Sequence, residues 1–279
     1  MRRPAVAGQF YAGSKQALIR QIEECYLHPL GPGSLPRPGK GERRIVGMVS
    51  PHAGYMYSGP VATHGFHRLA SDGMPESLVI IGPNHTGMGS GVSLMVSGEW
   101  ETPLGRLRID EDLARRILEE SEIIDADEEA HIYEHSIEVQ LPFIQHIFGD
   151  RVKFVPICMM LQDERTSLEV GGAVAAACSG RDVVVIASTD FTHYEPQEVA
   201  YRKDRMAIDR IVAMDAGGLI RCVEEEGITM CGSGPVAAML AACRKMGARS
   251  AELLRYATSG DVAGPMAEVV GYASVVVLR

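Results

Sequence analysis

Several segments of the chain are short, mainly apolar runs rich in valine and isoleucine, each only as long as a single strand. The clearest are "DVVVIAS", "SLVIIG", "RIVGMVS" and "ASVVVL". A strand that is apolar at consecutive positions, and not only at alternate ones, is typical of a sheet covered on both faces. Two further segments, "KFVPICM" and "AELLRYA", are predicted to be strands as well. These runs favour a mainly parallel or mixed sheet buried between helices.

Helix-type patterns alternate with these strands along the chain. We predict helices that begin at Ser14, Asp110, Glu134, Gln197 and Gly234. Strands alternating with helices predict an α/β fold, with the helices packed on the faces of the sheet. No position separates two independent cores. We therefore expect residues 1–279 to form a single α/β domain with a mainly parallel or mixed central sheet flanked by helices.

Composition and charge restrict the partners and the location of the protein. Of the 279 residues, 46% are hydrophobic, which is enough for a substantial core. The formal charge is -9 and no long basic run is present, so we expect no nucleic-acid partner. No apolar stretch has the length of a membrane span or a secretion signal, so we expect no membrane association and a cytoplasmic location. The six cysteines form no C-x-x-C pair, which fits a reducing compartment.

Titratable residues follow the predicted strands at the points where the strands end. His52 comes just after "RIVGMVS", His85 just after "SLVIIG", and Asp190 and His193 follow "DVVVIAS". Because open α/β sheets bind ligands at the carboxyl ends of their strands, we expect these side chains to share one crevice. Cys231 lies in the glycine-rich "ITMCGSGP" directly before a predicted helix, whose N-terminus favours a thiolate. It is a candidate ligand or nucleophile.

Each of these residues also has an ordinary structural interpretation. A single histidine after a strand is usually a hydrogen-bonded loop residue, and a free cysteine is usually a small buried residue. A competing motif, "HIYEH" at residues 131–135, fits the H-x-x-E-H pattern of zinc peptidases, in which two histidines bind zinc and the glutamate is the base. Its spacing is right, but it follows an acidic loop-like stretch at the start of a predicted helix, and so short a pattern arises easily by chance.

Six motifs follow one another along nearly the whole chain: "PAVAGQFY", "PHAGYMYSG", "GPNHTG", "EHSIEVQLPF", "STDFTHY" and "CGSGP". In this order they resemble the Memo family, also called protein B of the AmmeMemoRadiSam system. The family is similar in fold to the catalytic subunit of class III extradiol ring-cleaving dioxygenases. The resemblance implies a LigB-like dioxygenase fold with one mononuclear metal pocket. It also implies that His52, His85 and Cys231 are metal ligands and that Asp190 and His193 are the catalytic pair of that pocket.

The chemistry of this residue set indicates which metal to expect. Two imidazoles and one anionic ligand with open coordination positions are typical of non-haem iron, so Fe(II) is the expected cofactor. A thiolate in place of the usual carboxylate softens the site, which makes copper or zinc the alternatives. His193 resembles the base that deprotonates a catechol, and Asp190 would orient its ring. His135 and Glu138 are further candidates to surround the ligands, with helix capping as the alternative.

Three functions stay open from the sequence alone. The first is a metal-dependent, dioxygenase-like oxidoreductase that acts on an unidentified small molecule. The second is a non-catalytic module that binds a peptide or a partner protein in the same pocket, since eukaryotic Memo relatives are associated with binding phosphorylated receptor segments. The third is zinc-dependent hydrolysis at "HIYEH". The family name also implies a functional link to a radical-SAM enzyme.

Overall fold

In the computed structural model, which describes residues 1–279, the apolar runs form the middle of one nine-stranded mixed sheet. Its order is β10-β11-β1-β8-β2-β7-β3-β6, with β9 paired to β11, and β4 and β5 form a separate two-stranded sheet. The strands are β1 Ile45–Ser50, β2 Ser77–Pro83, β3 Val92–Leu94, β4 Glu99–Thr102, β5 Gly105–Arg108, β6 Asp125–Ala126, β7 Lys153–Met159, β8 Val183–Ser188, β9 His193–Glu195, β10 Ser250–Thr258 and β11 Val269–Leu278.

The four central strands, β1, β8, β2 and β7, run parallel to one another. Strands β11 and β3 join the parallel block on its two sides in the antiparallel direction. Every residue of β1, β2 and β8 is buried, because helices cover both faces of the sheet. The prediction of a mixed sheet flanked by helices is therefore confirmed, and all six predicted strands are present.

Nine α-helices surround the sheet. They are α1 Lys15–Leu27, α2 Tyr55–Asp72, α3 Glu111–Glu119, α4 Leu141–Phe148, α5 Glu164–Ala177, α6 Gln197–Val212, α7 Ala216–Glu225, α8 Ser233–Lys245 and α9 Ser259–Ala263. In β1, Gly47 faces Cys243 of α8, whereas its neighbour Met48 contacts α2 at Gly65. Successive strand residues point to opposite faces, so α8 and α2 cover opposite faces of the sheet.

The helix predicted from Glu134 begins later than expected. Residues Glu138–Gln140 form a short 3-10 helix, and the α-helix starts only at Leu141. Pro142 lies in its first turn, and a proline there has no N–H to bond the preceding turn, so the α-helix cannot extend further back. The prediction at Asp110 is confirmed, because its carboxylate caps α3 by accepting the backbone N–H of Leu113 at 3.1 Å.

One hydrophobic cluster of 73 buried residues fills the space between the sheet and the helices. It includes side chains from both halves of the chain, among them Leu18 of α1 and Val277 of β11. None of the helices has both the length and the apolar character needed to cross a membrane.

Candidate metal centre

Three neighbouring parallel strands place the candidate residues just beyond their carboxyl ends. His52 follows the end of β1 and Asp190 follows the end of β8, each after one intervening residue. His85 follows β2, which pairs with β8 on the other side from β1. Cys231 approaches from the loop that precedes α8. The sheet thus gathers four side chains from distant parts of the chain at one edge.

The structure brings His52, His85 and Cys231 together. One donor atom from each of the three residues lies within 4.8 Å of the other two. Nε2 of His52 is 3.2 Å from Sγ of Cys231, and the ring centroids of His52 and His85 are 5.2 Å apart. Two imidazole nitrogens and one sulfur are donors that zinc, copper and iron bind in proteins. This donor set could hold a single metal ion.

Hydrogen bonds determine which nitrogen of His52 faces the cluster. Ser188 donates its hydroxyl to the carbonyl of Ser136 at 2.6 Å and accepts an N–H of Gln140 at 2.8 Å. Since this hydroxyl hydrogen is used, Nδ1 of His52, 2.9 Å from Ser188 Oγ, must carry the proton and donate it. Burial lowers the pKa of His52 well below its ordinary value, and neighbouring histidines lower it further. The ring is therefore neutral, and the lone pair of Nε2 faces Cys231.

Glu134 orients His85 on the other side of the cluster. Its Oε1 lies 2.9 Å from Nδ1 of His85, and its Oε2 accepts the backbone N–H of His85 at 2.5 Å. Oε1 also accepts the backbone N–H groups of His135 and Ser136, both at 2.8 Å. Burial alone would raise the pKa of Glu134, but its hydrogen bonds with His85 lower it to about 2. The ionised carboxylate thus holds Nδ1–H of His85 and leaves Nε2 free for the cluster.

Backbone contacts fix the loop that carries Cys231. Sγ of Cys231 accepts the backbone N–H of Asp190 at 3.3 Å. Gln162, which follows β7, donates to the carbonyl of Cys231 at 2.9 Å and accepts the N–H of Gly234 at 3.0 Å. At Gly232 a Cβ would lie 2.6 Å from the carbonyl oxygen of the last residue of β8. Only glycine allows this close approach, so the sequence places the thiol against the end of the strand.

The pKa of the Cys231 thiol departs from the prediction made for a cysteine at a helix N-terminus. Burial raises this pKa far above its ordinary value, and the charge of Asp190 raises it further. The backbone N–H of Asp190 acts in the opposite direction but does not outweigh burial. In the absence of a metal ion the residue is a thiol, and the predicted thiolate is wrong for that state.

A cavity of about 540 Å³ opens beside the cluster. His52, His85, His135 and His193 line it together with Asp190, which is 4% exposed. Burial raises the pKa of Asp190 to about 6. Burial also lowers the pKa of His135 to about 4, although the nearby carboxylates partly oppose this shift. The structure therefore places both residues of the predicted catalytic pair, and His135, on the same cavity as two of the candidate ligands, His52 and His85, whereas Cys231 lies behind its lining.

Thr229 holds the tautomer of His193. The sequence analysis predicts Asp190 in this role, but the structure does not show that contact. Nδ1 of His193 is 2.8 Å from the carbonyl oxygen of Thr229, and its backbone N–H donates to the Thr229 hydroxyl at 2.7 Å. A carbonyl only accepts, so Nδ1 carries a proton, and in the neutral ring the free lone pair is on Nε2. Asp190 instead accepts the backbone N–H of His52 at 2.8 Å, which ties two strand ends together.

The structure places Glu138 away from the candidate ligands. Its buried carboxylate accepts hydrogen bonds from Nη1 of Arg2 at 2.5 Å and from the hydroxyl of Tyr11 at 2.5 Å. It also accepts the backbone N–H groups of Ala5 at 2.8 Å and Val6 at 3.1 Å. Glu138 is absent from the lining of the cavity. Its contacts anchor the N-terminal segment instead.

The segment "HIYEH" does not form the zinc-binding helix that its pattern describes. His131 ends a short 3-10 helix, and the chain up to residue 137 is irregular, so the two histidines do not lie one turn apart on an α-helix. His131 is fully buried with its ring centroid 5.6 Å from that of Trp100. The ligand group that contains His135 consists of His85, Glu134 and His135, without His131. The geometry therefore does not support a zinc site built from His131 and His135.

Replacing His131 by alanine is expected to lower the free energy of unfolding by about 2 kcal/mol or more, with no change in metal content. The ring fills space beneath Trp100, whose ring also lies 4.1 Å from the guanidinium of Arg2. Urea unfolding and metal content measure the two effects. His67→Ala is the control, because its ring bonds only the exposed Ser34. A variant that loses metal would restore the zinc-motif interpretation.

The sequence analysis does not predict the three residues that orient the cluster, which are Ser188, Gln162 and Glu134. Ser188 ends β8 and Gln162 follows β7, so the strand-end argument that led to His52 applies to both. The sequence suggests a role for Glu134 only as the base of the zinc motif. Its contact with His85 joins residues 49 positions apart and has no local signal in the sequence.

A sequence profile described as "Memo-like protein" matches residues 2–276. The chain belongs to the Memo family. A MEMO1 family protein of Methanothermobacter thermautotrophicus is 59% identical over 98% of this chain and 99% of that protein. A MEMO1 family protein of Methanopyrus kandleri is 51% identical over 100% of this chain and 99% of that protein. All candidate ligands of this Memo-family protein lie within the matched residues.

A solved structure of an uncharacterized protein from Escherichia coli K12 has a similar fold. The TM-score is 0.55 at 14% sequence identity, and the match covers 83% of this Memo-family chain and 99% of the other. At this identity the similarity concerns the fold alone. It agrees with the single-domain α/β architecture described above.

Proposed function

We propose that this Memo-family protein is a metal-dependent oxidoreductase of the dioxygenase-like kind. Its cofactor would be Fe(II), with copper or zinc as alternatives, and its ligands would be His52, His85 and Cys231. The observation that carries the proposal is the convergence of their three donor atoms within 4.8 Å beside a cavity. The cavity volume of about 540 Å³ is in the range of sites that bind small organic molecules.

The residues present fit a catalytic metal better than a structural one. Both histidines are held with Nδ1 protonated, which leaves two Nε2 lone pairs for an ion. The thiol of Cys231 is the one donor of the three that becomes an anion on metal binding. Three protein ligands leave coordination positions open toward the cavity, as in catalytic sites. When bound, Fe(II) would supply a Lewis acid and a redox partner for dioxygen.

His193 is the residue that we assign as general base. Its Nδ1–H is occupied by the carbonyl of Thr229, so its Nε2 can accept the proton of a hydroxyl group on a molecule in the cavity. Asp190 supports the site in a different way, because it holds the backbone of His52 and lines the same wall. The proton would thus move from the bound molecule to Nε2 of His193.

Oxygen uptake tests this assignment. Protein loaded with Fe(II) under nitrogen and then mixed with catechol and dioxygen is expected to consume oxygen. His193→Gln is expected to lower the rate about 100-fold, because the positioned base is lost, with metal content unchanged. His67→Gln, a change on α2 away from the cavity, serves as the control. No uptake with either Fe(II) or copper, together with saturable binding of a peptide, would contradict the enzyme proposal and favour a binding module.

A further inference from the structure

The wall of the cavity carries neither a lysine nor an arginine. Its 15 lining residues include two carboxylates, Asp190 and Glu268, but no lysine and no arginine. Neither carboxylate takes part in an ion pair within the protein. Asp190 has only backbone N–H partners, from His52 and Ala53. The protein itself therefore offers a cation two carboxylates that have no ion-pair partner, and offers an anionic group no lysine or arginine.

Glu268 lies where a ligand entering from solvent would meet it. It is exposed and directly precedes β11, whose residues Val270 and Tyr272 line the cavity with it. It has no side-chain hydrogen bond, unlike Glu195 of β9, which pairs with Lys203 at 2.6 Å. A carboxylate with no partner on the lip of a cavity is available to a charged group of the ligand.

Besides the two carboxylates, the wall of the cavity carries aromatic rings. Phe10, Tyr57, Tyr194 and Tyr272 line the cavity. Tyr194 is 72% exposed and has a φ of 58°, a left-handed conformation that is uncommon for a residue with a side chain. The surrounding structure therefore holds an unusual backbone at the residue that presents this ring, next to His193. The faces of aromatic rings attract cations as well as planar ligands.

We propose that the cavity binds a small aromatic molecule that carries a protonated amine, that is, an arylalkylamine. The aromatic walls would hold its ring, and Glu268 would pair with its ammonium group. The arylalkylamine proposal deepens the proposed function. It rests on that function only in one respect, which is that the ring hydroxyl of the ligand points toward His193 and the ligand cluster. Carboxylated and phosphorylated molecules are disfavoured, because they would bring a further negative charge next to Asp190 and Glu268.

Three probes of nearly equal size separate charge from shape: tyramine, the uncharged para-ethylphenol and the anionic para-hydroxyphenylacetate. Their binding is measured by calorimetry on the full chain, both metal-free and loaded with Fe(II) under nitrogen. We expect metal-free protein to bind tyramine at least about tenfold more tightly than para-hydroxyphenylacetate, with para-ethylphenol between them. The reverse order, or no saturable binding of tyramine, would overturn the proposal.

Glu268→Gln identifies the carboxylate responsible. It should weaken tyramine binding about three- to tenfold, tighten para-hydroxyphenylacetate binding and leave para-ethylphenol unchanged. Glu225→Gln removes the same charge from an exposed site on α7, outside the cavity, and should change none of the three affinities. Equal effects of the two variants would refute a role for Glu268. The titrations of metal-free protein test only the binding of the amine in the cavity. The metal content of the loaded protein tests the proposed function, so the two proposals can fail independently.

Discussion

Glu138→Ala is expected to lower the free energy of unfolding by about 3–5 kcal/mol, the range for removing one partner of a buried ion pair. The side chains of Arg2 and Glu138 are 5% and 0% exposed. Without the carboxylate, the guanidinium stays buried with only the carbonyls of His131 and Glu134 as partners. The hydroxyl of Tyr11 also loses its acceptor. Urea unfolding followed by circular dichroism measures the loss.

Glu128→Ala is the matched control for this prediction, because Glu128 is exposed in the same segment and its side chain caps nothing. It should change stability by no more than about 0.5 kcal/mol. Arg2→Ala combined with Glu138→Ala should cost less than the sum of the two single changes, because no unpaired charge is left buried. If the losses in unfolding free energy of the two single variants add up to the loss of the double variant, Arg2 and Glu138 are not energetically coupled.

Cys231→Ala is expected to reduce metal binding from about one ion per chain to a small fraction of that. The change removes the one donor of the three that can balance the positive charge of the ion. It also leaves the orienting contacts of both histidines intact, since those contacts come from Ser188 and Glu134. Metal content after anaerobic loading and removal of excess ion measures the effect.

Cys222→Ala is the control, because it removes a cysteine that is not a candidate ligand. Cys222 is a free cysteine on α7 that lies outside both groups of potential ligands. Its replacement should leave the metal content unchanged. If Cys231→Ala and the wild-type chain hold the same amount of metal, the cluster does not act through its sulfur and the proposed ligand set is wrong.

The central strands could be predicted because each is marked by its own residues. Strand Val183–Ser188 is apolar at consecutive positions from Val183 to Ala187, and this local pattern is enough to place it inside a covered sheet. The convergence of His52 and His85 was predictable from their position after such runs, since parallel strands end at the same edge. That inference required no knowledge of which strands are neighbours.

Contacts between distant residues could not be predicted in this way. Arg2 and Glu138 are 136 positions apart, and neither has a neighbouring residue that points to the other. The spacing of Glu138 from His135 therefore predicts a place near the site, whereas in the fold Glu138 holds the N-terminal segment. The start of α4 was misplaced for a local reason, because the helix-type pattern continues upstream of Pro142 while the proline limits the helix.

The contact between His52 and Cys231 joins positions separated by 179 residues, with most of the sheet between them in sequence. An unfolded chain cannot keep such a pair together, so an ion that needs both side chains would bind the native state alone. Loading would then raise the melting temperature in proportion to the logarithm of free metal concentration, by mass action. Cellular supply of the metal would in that case help to set how long each molecule survives proteolysis.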